Sequence, residues 1–397
     1  MKKTLFHKAF VLILIALNIS CDTNLEEKKI SNVEIESIKD FFAPDKRTAL
    51  FNVEAIEDPK GLKLVGESNL PKAVDSLKAI LKEKGIQTVD EIKILPSSDL
   101  KGKTKAVINI STANLRSNPK HAAELATQAI LGTEVNVLKK DGDWYLIQTP
   151  DEYLAWVDAG GIQLMDEKSL SQWATSNKII YTNTYGHAYD LTDTTFRVSD
   201  LVAGSVLQVL EVKEGYYKVQ FPDGRQALVS KEEARDYTSW LSSLTYDANA
   251  LIETSKSLMG VPYLWGGTST KGVDCSGFTK TIYYMNGMVI PRDASQQVHA
   301  GKPIDSIADF SKLDKGDLLF FGRKATDSTA EKVVHVGMWI GDNQFIHSSN
   351  MVRVSSVDKN ASNYDEYNVN RYLRTKRLLK EEDKNIINLK KALQIKG

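Results

Sequence analysis

The chain has 397 residues, and at about 150 residues per domain it should hold two to four domains rather than one core. Its 51 Lys and Arg balance its 51 Asp and Glu, so the basic excess that nucleic-acid backbones attract is missing, and 42% hydrophobic with 26% charged residues is a globular composition. The two cysteines, Cys21 and Cys275, are too few for a disulfide scaffold and their spacing fits no zinc site.

Lys2, Lys3 and Lys8 surround the start of an apolar run from Ala9 to Leu17. A bilayer-spanning helix needs about 20 apolar residues, so this shorter run reads as a signal peptide over residues 1–20. Ser20-Cys21 directly after it resembles the lipobox of bacterial lipoproteins, in which the cysteine is lipidated and becomes the mature N-terminus. Asn18 stands where a Leu is usual, with Leu17 one place back, a looser pattern similar to lipoproteins of the Bacteroides group. The expectation is an exported lipoprotein of the periplasm or outer membrane, held by lipid on Cys21; plain secretion is the alternative. A lipidated Cys21 cannot pair with Cys275, and a lone thiol outside the cytoplasm is either buried or reactive.

Residues 21–103 are mixed and charged. Val74, Leu77 and Leu81 recur at helical spacing within Leu70 to Leu81, with Pro71 suited to a first turn, and the region is expected to be a partly helical cap or spacer without chemistry. From Lys105 the texture changes to short β-branched runs. Val107 to Ile110, Glu134 to Leu138, Trp144 to Gln148 and Tyr153 to Val157 predict strands, with Asp141-Gly142-Asp143 as a hairpin turn. A second set follows at Lys178 to Tyr181, Val206 to Val212, Tyr216 to Phe221 and Gln226 to Val229. Two small barrels, over 104–165 and 176–235, are expected. Both resemble bacterial SH3-like domains, the first through Asn114-Leu115-Arg116 and Gly132-Thr133-Glu134-Val135. Such modules bind cell-wall peptides or serve as spacers.

The chemistry lies in residues 245–380. Asp274 is a good N-cap for a helix that Cys275 would open, running on through Thr279 to Met285. Amides at a helix start carry positive partial charge that favours a thiolate, although a small buried cysteine is also common. Downstream, Val333 to Ile340 and Gln344 to Ser349 read as a hairpin around Gly341-Asp342-Asn343. An odd loop of three residues puts His335 and His347 on one face. Pairing Ile340 with Gln344 sets Gly337 opposite His347 and makes His335 its diagonal neighbour, at about 7 to 8 Å between backbones. One ring could then take the thiol proton while the other orients it. Two core histidines, or a zinc site of Cys275, His335 and His347, remain the alternatives; no fourth zinc ligand is evident.

Tyr263-x-Trp265-Gly266-Gly267, Asp274-Cys275-Ser276-Gly277-Phe278, His335-Val336-Gly337 and Phe345-Ile346-His347 together resemble the NlpC-type cell-wall peptidase family. With two preceding barrels the likeness extends to its γ-D-glutamyl-L-diamino acid endopeptidases. The resemblance implies an α+β fold, with a papain-like catalytic domain behind two SH3-like barrels and a partly helical N-terminal region. It implies Cys275 as nucleophile, His335 as general base, His347 as orienting residue, and Tyr263 with the Cys275 amide as oxyanion donors. It further implies that Asp274, Ser276 and Trp265 line the D-Glu side, with Arg292 and Ser295 as further binding residues. Glu124 and Tyr153 of the first barrel would hold the free amine of L-Ala and so reject acylated stems. Ala155 stands where the family has Gly between that tyrosine and Trp156.

The expected protein is a monomeric cysteine peptidase that needs no cofactor or metal, acts on peptidoglycan stem peptides bearing free L-Ala, sits on a membrane through Cys21 and binds no nucleic acid. A non-catalytic wall-binding lipoprotein and an amidase or acyltransferase on the same fold are the rival functions. Residues 381–397, rich in Lys with Ile386, Ile387, Leu389 and Leu393, read as a tail with an extra surface helix.

Overall fold

A computed structural model describes residues 26–58 and 61–396; the expected signal peptide and Cys21 fall outside the described residues. The chain forms two compact units, the first ending at Gly102 and the second starting at Lys103.

The first unit is more than a helical spacer. A helix over residues 26–42 and a second at Pro71–Glu83 accompany a sheet in which Phe51–Asp58 pairs antiparallel with Gly61–Ser68, and Gly61–Ser68 pairs parallel with Thr88–Ile94. Pro71 sits in the first helical turn, where a missing N–H costs nothing, and Ala73, Val74, Leu77 and Leu81 are buried. Phe51, Val53 and Ala55 alternate inward to meet them, which gives the unit a core of its own.

The second unit opens with two seven-stranded sheets. The first uses Lys105–Ile108, Thr112–Arg116, Leu125–Ile130, Glu134–Asp141, Trp144–Gln148, Leu154–Asp158 and Ile162–Met165; the second uses Lys178–Tyr181, Tyr185–Tyr189, Arg197–Val202, Val206–Val212, Tyr216–Gln220, Gln226–Ser230 and Ala234–Asp236. Numbered within each barrel, both have the spatial order 7-1-4-5-6-2-3. This shared order makes the second barrel a structural repeat of the first. Ala155 lies in a regular ladder opposite Ile147, so no glycine is required there.

In the catalytic domain, helices α1 (Ala248–Ser257) and α2 (Cys275–Met285) pack on a six-stranded antiparallel sheet, the α+β arrangement expected. Its strands are β1 (Lys302–Asp305), β2 (Leu318–Arg323), β3 (Lys332–Gly341), β4 (Gln344–Ser349), β5 (Met351–Ser356) and β6 (Tyr372–Arg377), in the order β1-β6-β2-β3-β4-β5. Phe278 and Ile282 of α2 meet Phe320, Val336, Met338 and Ile346 of the sheet in one buried core. The tail adds a short strand, Ile387–Asn388, beside Met288–Val289 before its helix Leu389–Lys396.

The barrels dock on this domain through polar contacts. Gln128 of the first barrel donates its backbone N–H to the Thr268 hydroxyl (3.2 Å) and accepts from the Thr268 backbone N–H (3.1 Å) and the Ser269 hydroxyl (3.0 Å). Lys271 bonds Ser111 of the first barrel at 3.0 Å and pairs with Asp200 of the second at 2.5 Å. Lys280 on α2 forms an ion pair with Asp151. Gly266, at φ 78°, lies so close that an added Cβ would stand 2.2 Å from the Leu125 carbonyl oxygen.

Gly266→Ala and Gly215→Ala therefore separate backbone strain from docking. Gly215 also has positive φ (75°) but open space around it. Gly215→Ala is expected to lose about 1 kcal/mol in denaturant unfolding, and Gly266→Ala about 2 kcal/mol more through the backbone clash; equal losses would deny that this glycine is needed for docking.

Candidate active site

Asp274 caps α2 by accepting the Gly277 backbone N–H at 2.7 Å, which puts Cys275 in the first turn of the helix. The thiol is buried, and the backbone N–H groups of Val336 and Ser276 face its sulfur. Burial, and then the Asp274 carboxylate, push the thiol up to about 12, against the pull of those two amides. The helix-start argument alone points to a thiolate; in the folded protein desolvation outweighs it.

The histidine hairpin reaches the expected geometry by a different route. The turn has two residues, Asp342-Asn343, both at positive φ (52° and 59°), with Gly341 opposite Gln344. A two-residue turn alone would put the two histidines on opposite faces. A register shift between Trp339 and Gly341 inserts one extra residue, and below it Met338 faces Ile346. Gly337 consequently lies beside His347, where an added Cβ would stand 3.2 Å from the His347 Cβ and 2.9 Å from the Phe345 ring. The open space lets the rings meet: His335 Nε2 is 2.7 Å from His347 Nδ1.

His347 is fully buried, and its Nε2 lies 3.0 Å from the Ser355 hydroxyl and 3.8 Å from an Asp365 oxygen. Asp365 is fixed by the Asn368 backbone N–H (3.0 Å) and side-chain amide (2.7 Å), which hold its carboxyl below the usual range against burial. With the Asp365 carboxylate near His347 Nε2, the tautomer that suits the site has His347 Nε2–H donating towards Ser355 and His335 Nε2–H donating to His347 Nδ1, which leaves His335 Nδ1 as an acceptor. Burial, and then His347, hold His335 well below its ordinary value of 6.5; burial holds His347 at about 4 despite Asp365. With the thiol raised and both rings lowered, the proton rests on sulfur rather than on either ring at neutral pH.

Tyr263 sits beside Cys275. Burial, then the neighbouring sulfur, push its phenol up, so it stays a hydrogen-bond donor. Trp265 is 63% exposed and donates its Nε1–H to Glu124 of the first barrel at 2.8 Å. The buried Tyr153 donates its hydroxyl to Asp293 at 3.2 Å. The expected first-barrel pair is thus brought against the catalytic domain, Glu124 exposed and Tyr153 packed. Ser295 lies in the short helix Ala294–Gln297 that Asp293 caps.

Arg292 departs from expectation. Its side chain is 1% exposed and lies within the protein instead of lining the cleft. Nε donates to Thr127 of the first barrel at 2.8 Å, NH1 to Asp274 and Ser276 at 3.1 Å each, and NH2 to Asp274 at 2.6 Å. Burial lowers its proton affinity, but Asp274 more than offsets this and the guanidinium stays charged. Asp274 and Ser276 are likewise engaged with internal partners: the Asp274 carboxylate also accepts the Gly266 N–H at 3.0 Å and the Ser276 hydroxyl at 3.2 Å. Arg292 is a positioning residue for the first turn of α2.

Sequence reasoning missed Ser355 and Asp365, and also Arg353 and Arg371, which share a cleft with Tyr263 and His335. Met351–Ser356 alternates as a strand, and pairing His347 with Arg353 makes Ser355 a diagonal neighbour of His347, so that residue had a readable signal. Asp365 had none beyond its suitability as the N-cap of Glu366–Asn370.

Comparisons with known proteins agree with this geometry. Residues 260–371 match the family model described as NlpC/P60 family, and residues 115–162 that described as bacterial dipeptidyl-peptidase Sh3 domain. The chain is 33% identical over 331 residues, 81% of its length and 93% of the relative's, to a gamma-D-glutamyl-L-lysine dipeptidyl-peptidase from Bacillus cereus. It is 30% identical over 234 residues to one of the same name from Bacillus subtilis, covering 56% of this chain and 72% of that one. The crystal structure of an NlpC/P60 family protein from Bacillus cereus superposes with a TM-score of 0.60 at 27% identity, covering 69% of this chain and 99% of that one.

The buried rings set a pH response with a definite sign. The unfolded chain takes up a proton at each histidine near pH 6.5, and the native chain does so only at lower pH, so stability falls as pH drops below about 6.5. His347 alone should account for about 3 kcal/mol of that loss by pH 4. Chemical denaturation between pH 4 and 7 checks this: the slope should shrink in His347→Gln, and an unchanged slope would contradict the depressed value.

Proposed function

The chain belongs to the NlpC/P60 family, whose members are cysteine peptidases, and on that premise we propose that it hydrolyses the bond between γ-D-Glu and the L-diamino acid of peptidoglycan stem peptides bearing a free N-terminal L-Ala. The observation that carries this reading is a hydrogen-bonded run from His335 through His347 to Ser355, with Asp365 alongside, on the strand whose Val336 amide faces the buried Cys275 sulfur at a helix start. The relatives named as gamma-D-glutamyl-L-lysine dipeptidyl-peptidases support the bond and the substrate class.

In the proposed reaction His335 Nδ1 takes the Cys275 proton as sulfur attacks the γ-carbonyl carbon of D-Glu. His347 accepts the His335 Nε2–H hydrogen bond and, with Ser355 and Asp365 behind it, stabilises the imidazolium. The oxyanion of the tetrahedral intermediate receives the Tyr263 hydroxyl and the Cys275 backbone N–H. The C–N bond then breaks, His335 returns its proton to the departing α-amine of the diamino acid, and a thioester to Cys275 remains. A water molecule deprotonated by His335 attacks the thioester carbonyl, the C–S bond breaks with His335 returning the proton to the Cys275 sulfur, and the L-Ala-D-Glu acid is released.

The free-amine preference is supported by Glu124, an exposed carboxylate brought to the catalytic domain at Trp265. A carboxylate facing an ammonium gains a charge-assisted hydrogen bond that an acylated nitrogen cannot supply. This end of the cleft suits released peptides rather than stems attached to glycan.

Incubation of the chain from Asp22 onward with L-Ala-γ-D-Glu-diamino acid tripeptide, its N-acetyl form and intact sacculi, read by mass spectrometry, tests both parts. Cleavage of the free tripeptide, abolished in Cys275→Ala, is expected. Equal cutting of the acetylated peptide would remove the amine preference, and no Cys275-dependent cleavage of any substrate would overturn the peptidase reading.

The Lys-flanked apolar run Ala9 to Leu17 and the Ser20-Cys21 that follows it further support a lipid-anchored protein at the cell envelope. Radiolabelled fatty acid should be incorporated by the full chain and not by Cys21→Ala; equal labelling would reject this anchor.

A further inference from the structure

Next to the histidines lies a cleft of about 610 Å³ lined by Tyr263, His335, Asn350, Arg353, Asp365 and Arg371 among others. Its charges do not balance. Arg371 donates through Nε (3.0 Å) and NH2 (2.7 Å) to the Asn368 side-chain oxygen and through NH1 to the Tyr367 hydroxyl (3.3 Å), and its guanidinium lies 4.2 Å from the Tyr367 ring centroid; these partners are all neutral. Arg353 meets Asp365 only at 3.9 Å, and its Nε is buried without a hydrogen-bond partner among the described residues. A buried donor left unpaired is costly, so the Arg353 guanidinium has donor capacity that the described residues do not satisfy. The one carboxylate present, Asp365, is already taken by the Asn368 amides and lies beside His347. The cleft thus offers two guanidiniums against one committed carboxylate.

The position of this surplus follows from the mechanism. His335 hands its proton to the departing amine, and the wall containing His335 continues into the cleft. We propose that Arg353 and Arg371 bind a carboxylate of the diamino acid on the leaving side of the scissile bond, so that they are specificity-determining residues for the third stem position. This rests on the peptidase reading above. The planar fork of arginine suits a carboxylate, to which it can present two parallel N–H donors. Two carboxylates have this chemistry: the α-carboxylate of a diamino acid that ends the peptide, and the side-chain carboxylate of diaminopimelate. The first makes the enzyme selective for tripeptides over stems extended by another residue. The second makes it selective for diaminopimelate over lysine.

The experiment compares L-Ala-γ-D-Glu-L-Lys with its C-terminal carboxamide, and L-Ala-γ-D-Glu-meso-diaminopimelate with its α-carboxamide, on the wild-type chain, Arg353→Gln and Arg371→Gln. Amidating the recognised carboxylate should raise KM about tenfold or more with little change in kcat. Either variant should bring the peptides that the wild type distinguishes within about twofold of each other. A difference between lysine acid and lysine amide identifies the α-carboxylate; a difference between the two amides identifies the side-chain carboxylate. Wild type that treats all four alike, or variants that lose equally on all four peptides, would overturn the proposal.

Calorimetry of the same peptides on Cys275→Ala separates this inference from the reading beneath it. Acid-selective binding without turnover in the wild type would overturn the peptidase reading and keep the carboxylate site. Turnover without acid selectivity would do the reverse.

Discussion

The buried contact between Arg292 and Asp274 is the constraint on which the rest of the site depends. A guanidinium at 1% exposure is tolerable only when its donors are matched, and here Nε, NH1 and NH2 are all engaged, by Thr127, Asp274 and Ser276. The same Asp274 carboxylate caps α2 at Gly277 and holds the Gly266 amide. One ion pair therefore fixes the first turn of the nucleophile helix, the loop that carries Tyr263 and Trp265, and a strand of the first barrel. Losing either partner would leave the other charge buried alone, a far larger penalty than the net worth of the pair. The barrel is in this sense part of the active site, because a residue of its own completes the shell around Cys275.

The histidine pair obeys a different physics. Both rings are removed from water and disfavour charge, yet the proposed mechanism requires one of them to become an imidazolium. Ser355 and Asp365 address that conflict at the far end of His347, where a hydroxyl and a carboxylate can stabilise the charged form without contacting substrate. The bulge in the hairpin makes the pair possible. It restores by one extra residue the face that the tight Asp342-Asn343 turn would have lost, and the small Gly337 leaves the space between the rings.

What could be read from sequence follows the range of the interactions concerned. Strands with an apolar run, such as Lys178–Tyr181, Val206–Val212 and Trp144–Gln148, begin and end where the pattern of side chains says they should. Leu125–Ile130 was invisible because it buries Thr127 and Gln128, polar residues whose partners, Arg292 and Thr268, lie more than a hundred residues away. The N-terminal strand Phe51–Asp58 does alternate, with Phe51, Val53 and Ala55 inward, so its omission reflects an unread signal. Cys275 and its cap were legible locally. His335 and His347 came out on one face from a three-residue loop, although the structure uses a two-residue turn and a bulge. Arg292 could not be assigned to the interior from its neighbours, because its role is defined by Thr127 and Asp274 together.

A net charge of zero for the whole chain conceals local charges of opposite sign at the catalytic domain. Glu124 of the first barrel brings a carboxylate to one side of the catalytic domain, and Arg353 and Arg371 bring two guanidiniums to another, beside His335. The two signs are supported independently. The acidic group depends on barrel docking, where Gly266 lets the Leu125 backbone approach, whereas the basic pair is carried by β5 and the segment after Asp365, both within the catalytic domain. On the proposed reading, a short peptide with an ammonium at its start and a carboxylate at its finish would match these charges in one direction only. Reversing it would set each charge against its like, so orientation in the cleft would follow from electrostatics before any contact with the thiol is made.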